Sequence, residues 1–317
     1  MRRLEYVRRG ELRHVDAPMP ALQSDGDAIV QPVAATTCDL DRAIIAGLTP
    51  FEGPFALGHE AVGEVIEVGE GVRGIGPGQL VVVPWHICCG TCTACAAGRT
   101  AHCERAPRYA MYGLPLGGDF GGLFSDAVRV PWADHALVPL PDGVSARAAA
   151  SASDNLTDAY RAVAPALREA PGAEVLVIGG TGSIGVYAVA FAHALGASAV
   201  AYVDRHEPDA VAIARELGAE ILGRPPAGRQ FKLPVDASGR PDGPARGARC
   251  YRPVRALPQR RHLFRGRPPP ARVHVHAGSH AVDRTTGCAP QHSRRARAAR
   301  GRDRRPCPGV FGRRHLR

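Results

Sequence analysis

The first half of the chain alternates short apolar runs with glycine and proline. Four runs of five or six residues are separated in this way, at residues 28–33, 63–68, 79–84 and 136–140. Runs of this length with turn-forming residues between them are typical of β-strands. No long stretch shows the 3.6-residue period of an amphipathic helix. The pattern therefore predicts a β-rich domain over about residues 1–150.

From about residue 151, apolar runs alternate with helical stretches. The predicted elements are a strand at 173–179, a helix at 186–195, a strand at 198–203, a helix at 210–217 and further βα segments at 218–221 and 233–239. Gly180, Gly182 and Gly185 lie between the first strand and the first helix, in the spacing G-x-G-x-x-G. Strands alternating with helices predict a Rossmann domain, which is a doubly wound parallel sheet.

The glycine motif is weak evidence alone, but its place between a strand and a helix makes it a dinucleotide-binding signal. The glycines allow a tight turn and close approach of the pyrophosphate, and the amides of Ser183 and Ile184 face the phosphates. Asp204 follows the second strand. Its carboxylate can accept hydrogen bonds from the ribose hydroxyls and would repel a 2′-phosphate. The sequence thus favours NAD over NADP, although the neighbouring Arg205 leaves this choice open.

The composition changes abruptly after about Gly243. The last 74 residues contain 20 Arg and nine Pro but no Glu and no Ile. We interpret residues 244–317 as a disordered, frame-shifted end of a GC-rich gene, because Arg, Pro, Ala and Gly have GC-rich codons. Two alternatives are a basic arm that binds nucleic acid through phosphates and a metal site built from the six His and three Cys of this tail. The Rossmann domain is therefore predicted to be truncated, over residues 151–243.

The net charge of +10 belongs to the tail, which carries +18 against −8 for residues 1–243. The acidic body has no basic footprint for nucleic acid or anionic membranes. No apolar run approaches the ~20 residues of a membrane span, and no apolar segment of a signal peptide follows the first residues. We therefore expect a cytoplasmic protein without a membrane partner and with no nucleic-acid partner for its body.

Cysteine spacing predicts a structural zinc site. Cys89, Cys92, Cys95 and Cys103 follow one another in the spacing C-x2-C-x2-C-x7-C. In a cytosolic chain such spacing indicates metal binding before disulfides. Four thiolates complete a tetrahedral shell, so this zinc would hold a lobe together without doing chemistry. Cys88 breaks the register, and chance clustering or disulfides are the alternatives.

A second metal signal lies at residues 58–72, which follow the pattern G-H-E-x2-G-x5-G-x2-V. His59 in this pattern offers an imidazole, the commonest metal-ligating group. An isolated His beside a Glu is usually an ordinary surface pair. The full pattern resembles the signature of the zinc-containing medium-chain alcohol dehydrogenases. The resemblance covers about residues 1–243 and implies a GroES-like catalytic domain over residues 1–150.

The resemblance also implies a catalytic zinc site. Cys38, 21 residues before His59, stands where the family has its first zinc ligand, although a buried free cysteine is the alternative. Asp41 stands where an acid hydrogen-bonds the zinc-bound histidine and fixes its orientation. Leu40 replaces the family's Ser or Thr, whose hydroxyl relays a proton. Asp39 stands where some relatives have a basic residue near the cofactor pyrophosphate, so the proton route and the substrate are in question.

Asp154 is our choice for the third ligand, because its segment resembles the one in which a Cys or Asp completes the family's site. The alternatives are that Glu60 is the ligand, or that Asp154 or Ser153 only caps the helix that follows. Cys38, His59 and Asp154 would leave one zinc position open, as a catalytic site requires. The zinc would act there as a Lewis acid.

The resemblance therefore implies a zinc-dependent oxidoreductase with two zincs per chain, which transfers a hydride between an alcohol, aldehyde or ketone and NAD. The alternatives are a catalytically inactive, zinc-binding remnant of such an enzyme and a protein that binds nucleic acid through its tail. Family members are commonly dimers or tetramers, but the dimer-forming strands would fall in the tail region. The identity of the substrate is not predicted.

Overall fold

Most of the regular secondary structure in the first 140 residues is β-strand, as the short apolar runs predict. The computed structural model describes residues 1–180, 182–204, 207–226, 228–239 and 281–283. The strands of this part are β1 (Arg2–Arg8), β2 (Glu11–Asp16), β3 (Ala28–Thr36), β4 (Phe55–Ala56), β5 (Ala61–Val68), β6 (Leu80–Val83), β7 (Val128–Val130) and β8 (Val138–Pro139). The helical segments are α1 (Asp39–Ile45), α2 (Thr93–Ala96), a 3-10 turn (Thr100–His102) and α3 (Ala133–Ala136).

These strands form two antiparallel sheets. The smaller sheet has the order β2-β1-β4, and the larger one runs through β3, β5, β6 and β8, with β7 also paired to β3. Apolar side chains from the larger sheet bury one continuous core, whose fully buried members include Val30, Val65, Val81 and Val83. Because β3 and β5 are antiparallel neighbours, the end of β3 meets the start of β5. This pairing positions the segments that carry Cys38 and His59.

The strand predicted at 136–140 is only partly correct. Residues 133–136 form α3, and only Val138 and Pro139 extend as β8. Tertiary contacts hold this helix in place, because the carboxylate of Asp134 accepts hydrogen bonds from the amides of Arg73 and Gly74, at 2.8 and 2.7 Å. Those contacts come from a loop about 60 residues away, so the local apolar pattern does not predict them.

The second part has the predicted alternation of helices and strands. Its elements are α4 (Asn155–Glu169), β9 (Val175–Ile178), α5 (Ser183–Ala194), β10 (Val200–Val203), α6 (Pro208–Glu216), β11 (Glu220–Leu222) and β12 (Leu233–Asp236). The four strands form a parallel sheet in the order β11-β10-β9-β12, which corresponds to the 3-2-1-4 part of the Rossmann strand order 3-2-1-4-5-6. Helices α4 and α5 pack on one face of this sheet and bury Val175, Val177 and Tyr202. The predicted combination of a GroES-like and a Rossmann fold is confirmed.

Part of the tail departs from the prediction of a structureless end. Residues 281–283 form β13 (Ala281–Asp283), which pairs with residues 34–36 of β3. Backbone pairing requires no side-chain pattern, so the sequence did not indicate this strand. The frame-shift interpretation, the basic arm and the His and Cys cluster otherwise concern residues 244–280 and 284–317, which lie outside the described residues. Within the described ranges, no helix is long and apolar enough to cross a membrane.

Candidate metal centres and dinucleotide site

The turn after β3 fixes the position of the Cys38 thiol. Cys38 is the N-cap of α1, and its Sγ accepts a hydrogen bond from the amide of Leu40 at 3.3 Å. In return, Oδ2 of Asp41 accepts a hydrogen bond from the amide of Cys38 at 2.9 Å. This reciprocal arrangement is a capping box. Only 1% of Cys38 is exposed, so the thiol is held in one orientation inside the protein.

His59 meets this thiol from the start of β5. Its Nε2 lies 3.1 Å from Sγ of Cys38, and its Nδ1 lies 3.5 Å from Oδ1 of Asp41. The preceding Gly58 has a φ of +96°, and a β-carbon there would lie 2.6 Å from the amide nitrogen of Phe124. Glycine is therefore required before the histidine for two reasons, its positive φ and the close approach of Phe124.

Asp154 approaches the same histidine from the start of α4. Its Oδ2 lies 3.5 Å from Nε2 of His59. Asp154 occupies the N-cap position, yet its own side chain makes no capping hydrogen bond, and Oγ of Ser153 has no hydrogen-bond partner among the described residues. Helix capping, the alternative role considered for Asp154 and Ser153, is therefore not what these side chains do.

Glu60 is the fourth member of this cluster. The cluster consists of Cys38, His59, Glu60 and Asp154. Each of these residues offers one potential ligand atom, and the four atoms lie within 4.8 Å of one another. Oε1 of Glu60 accepts hydrogen bonds from Oγ of Ser151 at 2.8 Å and from the amide of Asn155 at 3.1 Å. No role was predicted for Ser151 or Asn155 from the sequence, because no local pattern pairs residues more than 90 positions apart.

The electrostatics of this cluster suit a bound cation. Burial raises the pKa of the Cys38 thiol and of the Asp41 carboxyl. Burial and the nearby charge of Asp154 raise the pKa of Glu60 to about 7. For His59 burial is the largest single influence and would lower the pKa, but the charge of Asp41 together with the contacts of Asp154 and Cys38 outweighs burial and raises the pKa. A divalent cation favours the ionised form of each acidic donor, so nitrogen, sulfur and oxygen donors at this separation fit zinc.

The residues beside Cys38 show what the departures from the family pattern do. The Leu40 side chain packs against an apolar cluster that includes Ile44 and Leu57, and it carries no group that could transfer a proton. The buried carboxylate of Asp39 lies 3.6 Å from the guanidinium of Arg42. Its charge is therefore partly compensated by Arg42.

The four predicted cysteines meet in a separate lobe. The sulfurs of Cys89, Cys92, Cys95 and Cys103 lie within 4.8 Å of one another, and the four residues are free thiols. Backbone amides donate to these sulfurs, including the amide of Ala106 to Cys103 at 3.3 Å. Although burial opposes ionisation, hydrogen bonds from Thr91 and the amide of Cys92 lower the pKa of the Cys89 thiol to about 6. Burial and the hydrogen bond with Cys92 instead raise the pKa of Cys95 to about 12. Four converging sulfurs, several of which accept amide hydrogen bonds, fit a zinc shell.

Cys88 is buried beside the four cysteines but does not belong to their group of converging sulfurs. The lobe turns tightly at Gly90, which has a φ of +73°. The ring of His135 lies directly over this glycine, because a β-carbon there would be 1.9 Å from Cγ of the ring.

The dinucleotide motif lies at the carboxyl end of the parallel sheet. Gly182 is the N-cap of α5 and provides no side-chain hydrogen bond to the start of the helix. The buried Oγ of Ser183 has no hydrogen-bond partner among the described residues. A β-carbon on Gly180 would lie 2.8 Å from the backbone of Ser238, whereas Gly185 makes only ordinary contacts. Ile184 lies in the first turn of α5. Thr181 within this loop is not among the described residues.

Asp204 lies at the same end of the sheet as the glycine turn. It follows β10, whose last residue is paired with the last residue of β9 in parallel register. The hydroxyl of Tyr202 donates to Oδ2 of Asp204 at 3.4 Å. The adjoining Arg205 is outside the described residues. Carboxyl ends of neighbouring strands are where dinucleotides bind in this fold, so the arrangement fits such a cofactor.

Comparison with known proteins agrees with this geometry. The alcohol dehydrogenase GroES-like domain model matches residues 24–142. The chain is 36% identical over 196 residues to a Mycobacterium tuberculosis protein named "Probable zinc-binding alcohol dehydrogenase Rv1895", covering 62% of this chain and 49% of that protein. It is 34% identical over 230 residues to the glutathione-independent formaldehyde dehydrogenase of Pseudomonas aeruginosa, covering 68% of this chain and 57% of that protein.

Among solved structures, the alcohol dehydrogenase TADH from Thermus sp. ATN1 matches with a TM-score of 0.69 at 30% identity, over 82% of this chain and 79% of that chain. The chain spans about half the length of the curated relatives that it matches first. The matched domain, the shared fold and the zinc-type relatives lead to one conclusion: this chain belongs to the zinc-containing medium-chain alcohol dehydrogenase family.

Proposed function

We propose that this chain is a zinc-dependent oxidoreductase that transfers a hydride between an alcohol, aldehyde or ketone and a nicotinamide cofactor. The supporting observation is the convergence of Cys38, His59 and Asp154, whose potential ligand atoms come from three distant segments and lie within 4.8 Å of one another. In this proposal residues 1–150 form the catalytic domain and residues 151–243 the dinucleotide-binding domain.

Cys38, His59 and Asp154 would hold the catalytic zinc, which supplies a Lewis acid for the carbon–oxygen bond of the substrate. We take Asp154 as the third ligand because its Oδ2 lies 3.5 Å from Nε2 of His59 and its side chain makes no capping hydrogen bond, whereas two hydrogen bonds to Oε1 restrain Glu60. Asp41 orients His59 from the far side of the ring. Leu40 cannot relay a proton, so the substrate proton must reach solvent by a route that does not use this position.

The four-cysteine lobe would hold a second, structural zinc. Its four sulfurs complete a tetrahedral shell and leave no position for substrate. The amides that donate to Cys89, Cys92 and Cys103 stabilise thiolates there. We therefore expect two zincs per chain with different functions.

The cofactor would be NAD rather than NADP. The uncapped start of α5 and the hydroxyl of Ser183 can accept the pyrophosphate. The carboxylate of Asp204, at the end of β10, can accept hydrogen bonds from the ribose hydroxyls. A 2′-phosphate would be repelled by that charge.

An inactive, zinc-binding remnant is the second candidate. The described parallel sheet has four strands, whereas a complete domain of this type has six. Such a remnant would keep its zinc and fail to bind a dinucleotide. NADH titration of the full-length chain, followed by fluorescence, separates the two candidates because only the enzyme would bind.

The main experiment measures zinc content and NAD-dependent turnover together on the full-length chain. Formaldehyde and short alcohols form the first substrate panel, because one relative is named for formaldehyde. We expect the parent chain to hold two zincs and to turn over substrate. Cys38→Ala should lose turnover and should retain only one zinc. Cys88→Ala removes a buried thiol outside both groups and should retain both zincs. One zinc in the parent chain, unaffected by Cys38→Ala and without turnover, would contradict the proposal.

A further inference from the structure

Ser151 contacts the cluster without being one of its potential ligands. Its hydroxyl is buried and donates to Oε1 of Glu60 at 2.8 Å, across 91 positions of sequence. The same oxygen accepts the amide of Asn155 at 3.1 Å. Glu60 is fully buried, and its Oε2 has no hydrogen-bond partner in the part of the chain that the structure describes.

These two hydrogen bonds bracket Asp154. Ser151 lies three positions before it and Asn155 one position after it, and both donate to one oxygen of one carboxylate. Asp154 itself makes no capping hydrogen bond within the described residues, so its own side chain does not fix the start of α4. The bonds to Glu60 therefore attach the start of α4 to the segment that carries His59. Asp154 lies 3.5 Å from His59 across this junction.

The same contacts restrain Glu60. A carboxylate that accepts two hydrogen bonds on one oxygen cannot rotate without breaking them, and buried donors that lose their partner cost free energy. Glu60 contributes one of the converging ligand atoms. If it were released, it could compete with Asp154 for a metal ion.

We propose that Ser151 is a positioning residue that makes Asp154, and not Glu60, the third ligand of the metal. This inference rests on the proposed function, since it concerns zinc bound by Cys38 and His59. Ser151 holds Glu60 in the interior and aligns the start of α4, so that the Asp154 carboxylate stays beside His59. Residues that orient metal ligands typically change metal affinity by about 10–100-fold when they are substituted.

The test measures metal binding and not turnover. Ser151→Ala and Ser153→Ala each remove one hydroxyl from the same segment, but only Ser151 has a hydrogen bond to Glu60. Zinc affinity is measured on the full-length chain by competition with a chromophoric chelator, and Co²⁺ is substituted so that its visible bands report the ligand set. Ser151→Ala should weaken the site of Cys38 and His59 by about tenfold or more and change the Co²⁺ bands. The four-cysteine site should be unaffected.

A second pair of variants separates positioning from folding. Ser151→Thr keeps the hydroxyl and should retain parental affinity and spectrum. In a Glu60→Ala background, Ser151→Ala should have no further effect, because its partner is already gone. Equal losses in Ser151→Ala and Ser153→Ala, or parental Co²⁺ bands in Ser151→Ala, would overturn the inference. If the parent chain holds no zinc beyond that of the four-cysteine site, or if substitution of His59 does not remove a zinc, the proposed function itself is wrong.

Discussion

Asp41 and His59 face each other inside the protein, with Oδ1 of the acid 3.5 Å from Nδ1 of the ring. The other oxygen of Asp41 accepts the amide of Cys38. One buried carboxylate thus contacts two of the proposed ligands from the side away from the cluster. Its position couples the turn after β3 to the start of β5.

Asp41→Asn should lower the zinc affinity of this site by about 10–100-fold, because the substitution removes the charge that orients His59 and favours donation from its ring. The zinc affinity of the four-cysteine lobe should be unchanged. Competition with a chromophoric chelator measures both sites. The matched control is Asp39→Asn, which also neutralises a buried acid but one that pairs with Arg42. If the two variants lose zinc equally, a specific role for Asp41 is wrong.

The meeting of Cys38 and His59 could be predicted because metal-ligand types recur at family-specific spacing, and antiparallel pairing of β3 with β5 brings those positions together. The position of Asp154 beside His59 agrees with the resemblance of its segment to that of the family, and its role as a ligand stays a prediction. The contact between Ser151 and Glu60 could not, since it depends on how α4 packs against the β-rich part. A contact of this kind leaves no periodic signal in the chain.

The fold shows a similar division. Buried strands such as β9 were predictable because both faces are apolar. The first strand, β1, was not, since its sequence RRLEYVR contains three arginines. It is stabilised by antiparallel pairing with β2 and β4, and Arg3 pairs with Glu5 at 2.7 Å. Backbone pairing and ion pairs can therefore form a strand without an apolar run.

Gly90→Ala should destabilise the four-cysteine lobe by roughly 1–3 kcal/mol more than the backbone strain alone, because the new methyl group overlaps the ring of His135. The φ of +73° adds about 1–2 kcal/mol for a residue with a β-carbon. Urea unfolding of the zinc-loaded chain measures the free energy of unfolding.

Gly98→Ala is the matched control for that measurement. Its φ is +72° and a β-carbon there meets nothing within 4 Å, so it reports the backbone strain alone. Combining Gly90→Ala with His135→Ala should bring the loss close to that of Gly98→Ala. If Gly90→Ala costs no more than the control, packing of His135 on this turn does not restrict the position.

The carboxyl group of Asp27 should make the free energy of unfolding depend on pH. Burial would raise its pKa, but hydrogen bonds from Ser24, from the amide of Gln23 and from Arg129 outweigh that effect and lower the pKa. A carboxyl whose pKa is lowered in the folded state stabilises fully above its unfolded value of about 3.9. That stabilisation is lost as the pH falls through the folded pKa.

Asp27→Asn should therefore cost about 2 kcal/mol near pH 7, and the difference from the parent should shrink as the pH falls below about 4. Urea unfolding across this pH range measures it. The exposed Asp25, two positions earlier, provides the control: Asp25→Asn should stay within about 0.5 kcal/mol of the parent. A pH-independent difference for Asp27→Asn would show that the charge of Asp27 is not what stabilises this network.

Asp204→Ala should change which dinucleotide binds. The carboxylate lies at the end of β10, next to the glycine turn after β9, where it can accept hydrogen bonds from the two ribose hydroxyls. Its loss should weaken NADH binding by about 10–100-fold, the expected effect of losing hydrogen bonds to a charged group. NADPH binding should be unchanged or stronger, because the repulsion of the 2′-phosphate is removed.

Fluorescence titration with both nucleotides measures the ratio of the NADH and NADPH affinities. The control is Asp209→Ala, in the exposed first turn of α6, which should leave this ratio unchanged. Equal weakening of both nucleotides would mean that Asp204 supports the local fold and does not read the ribose.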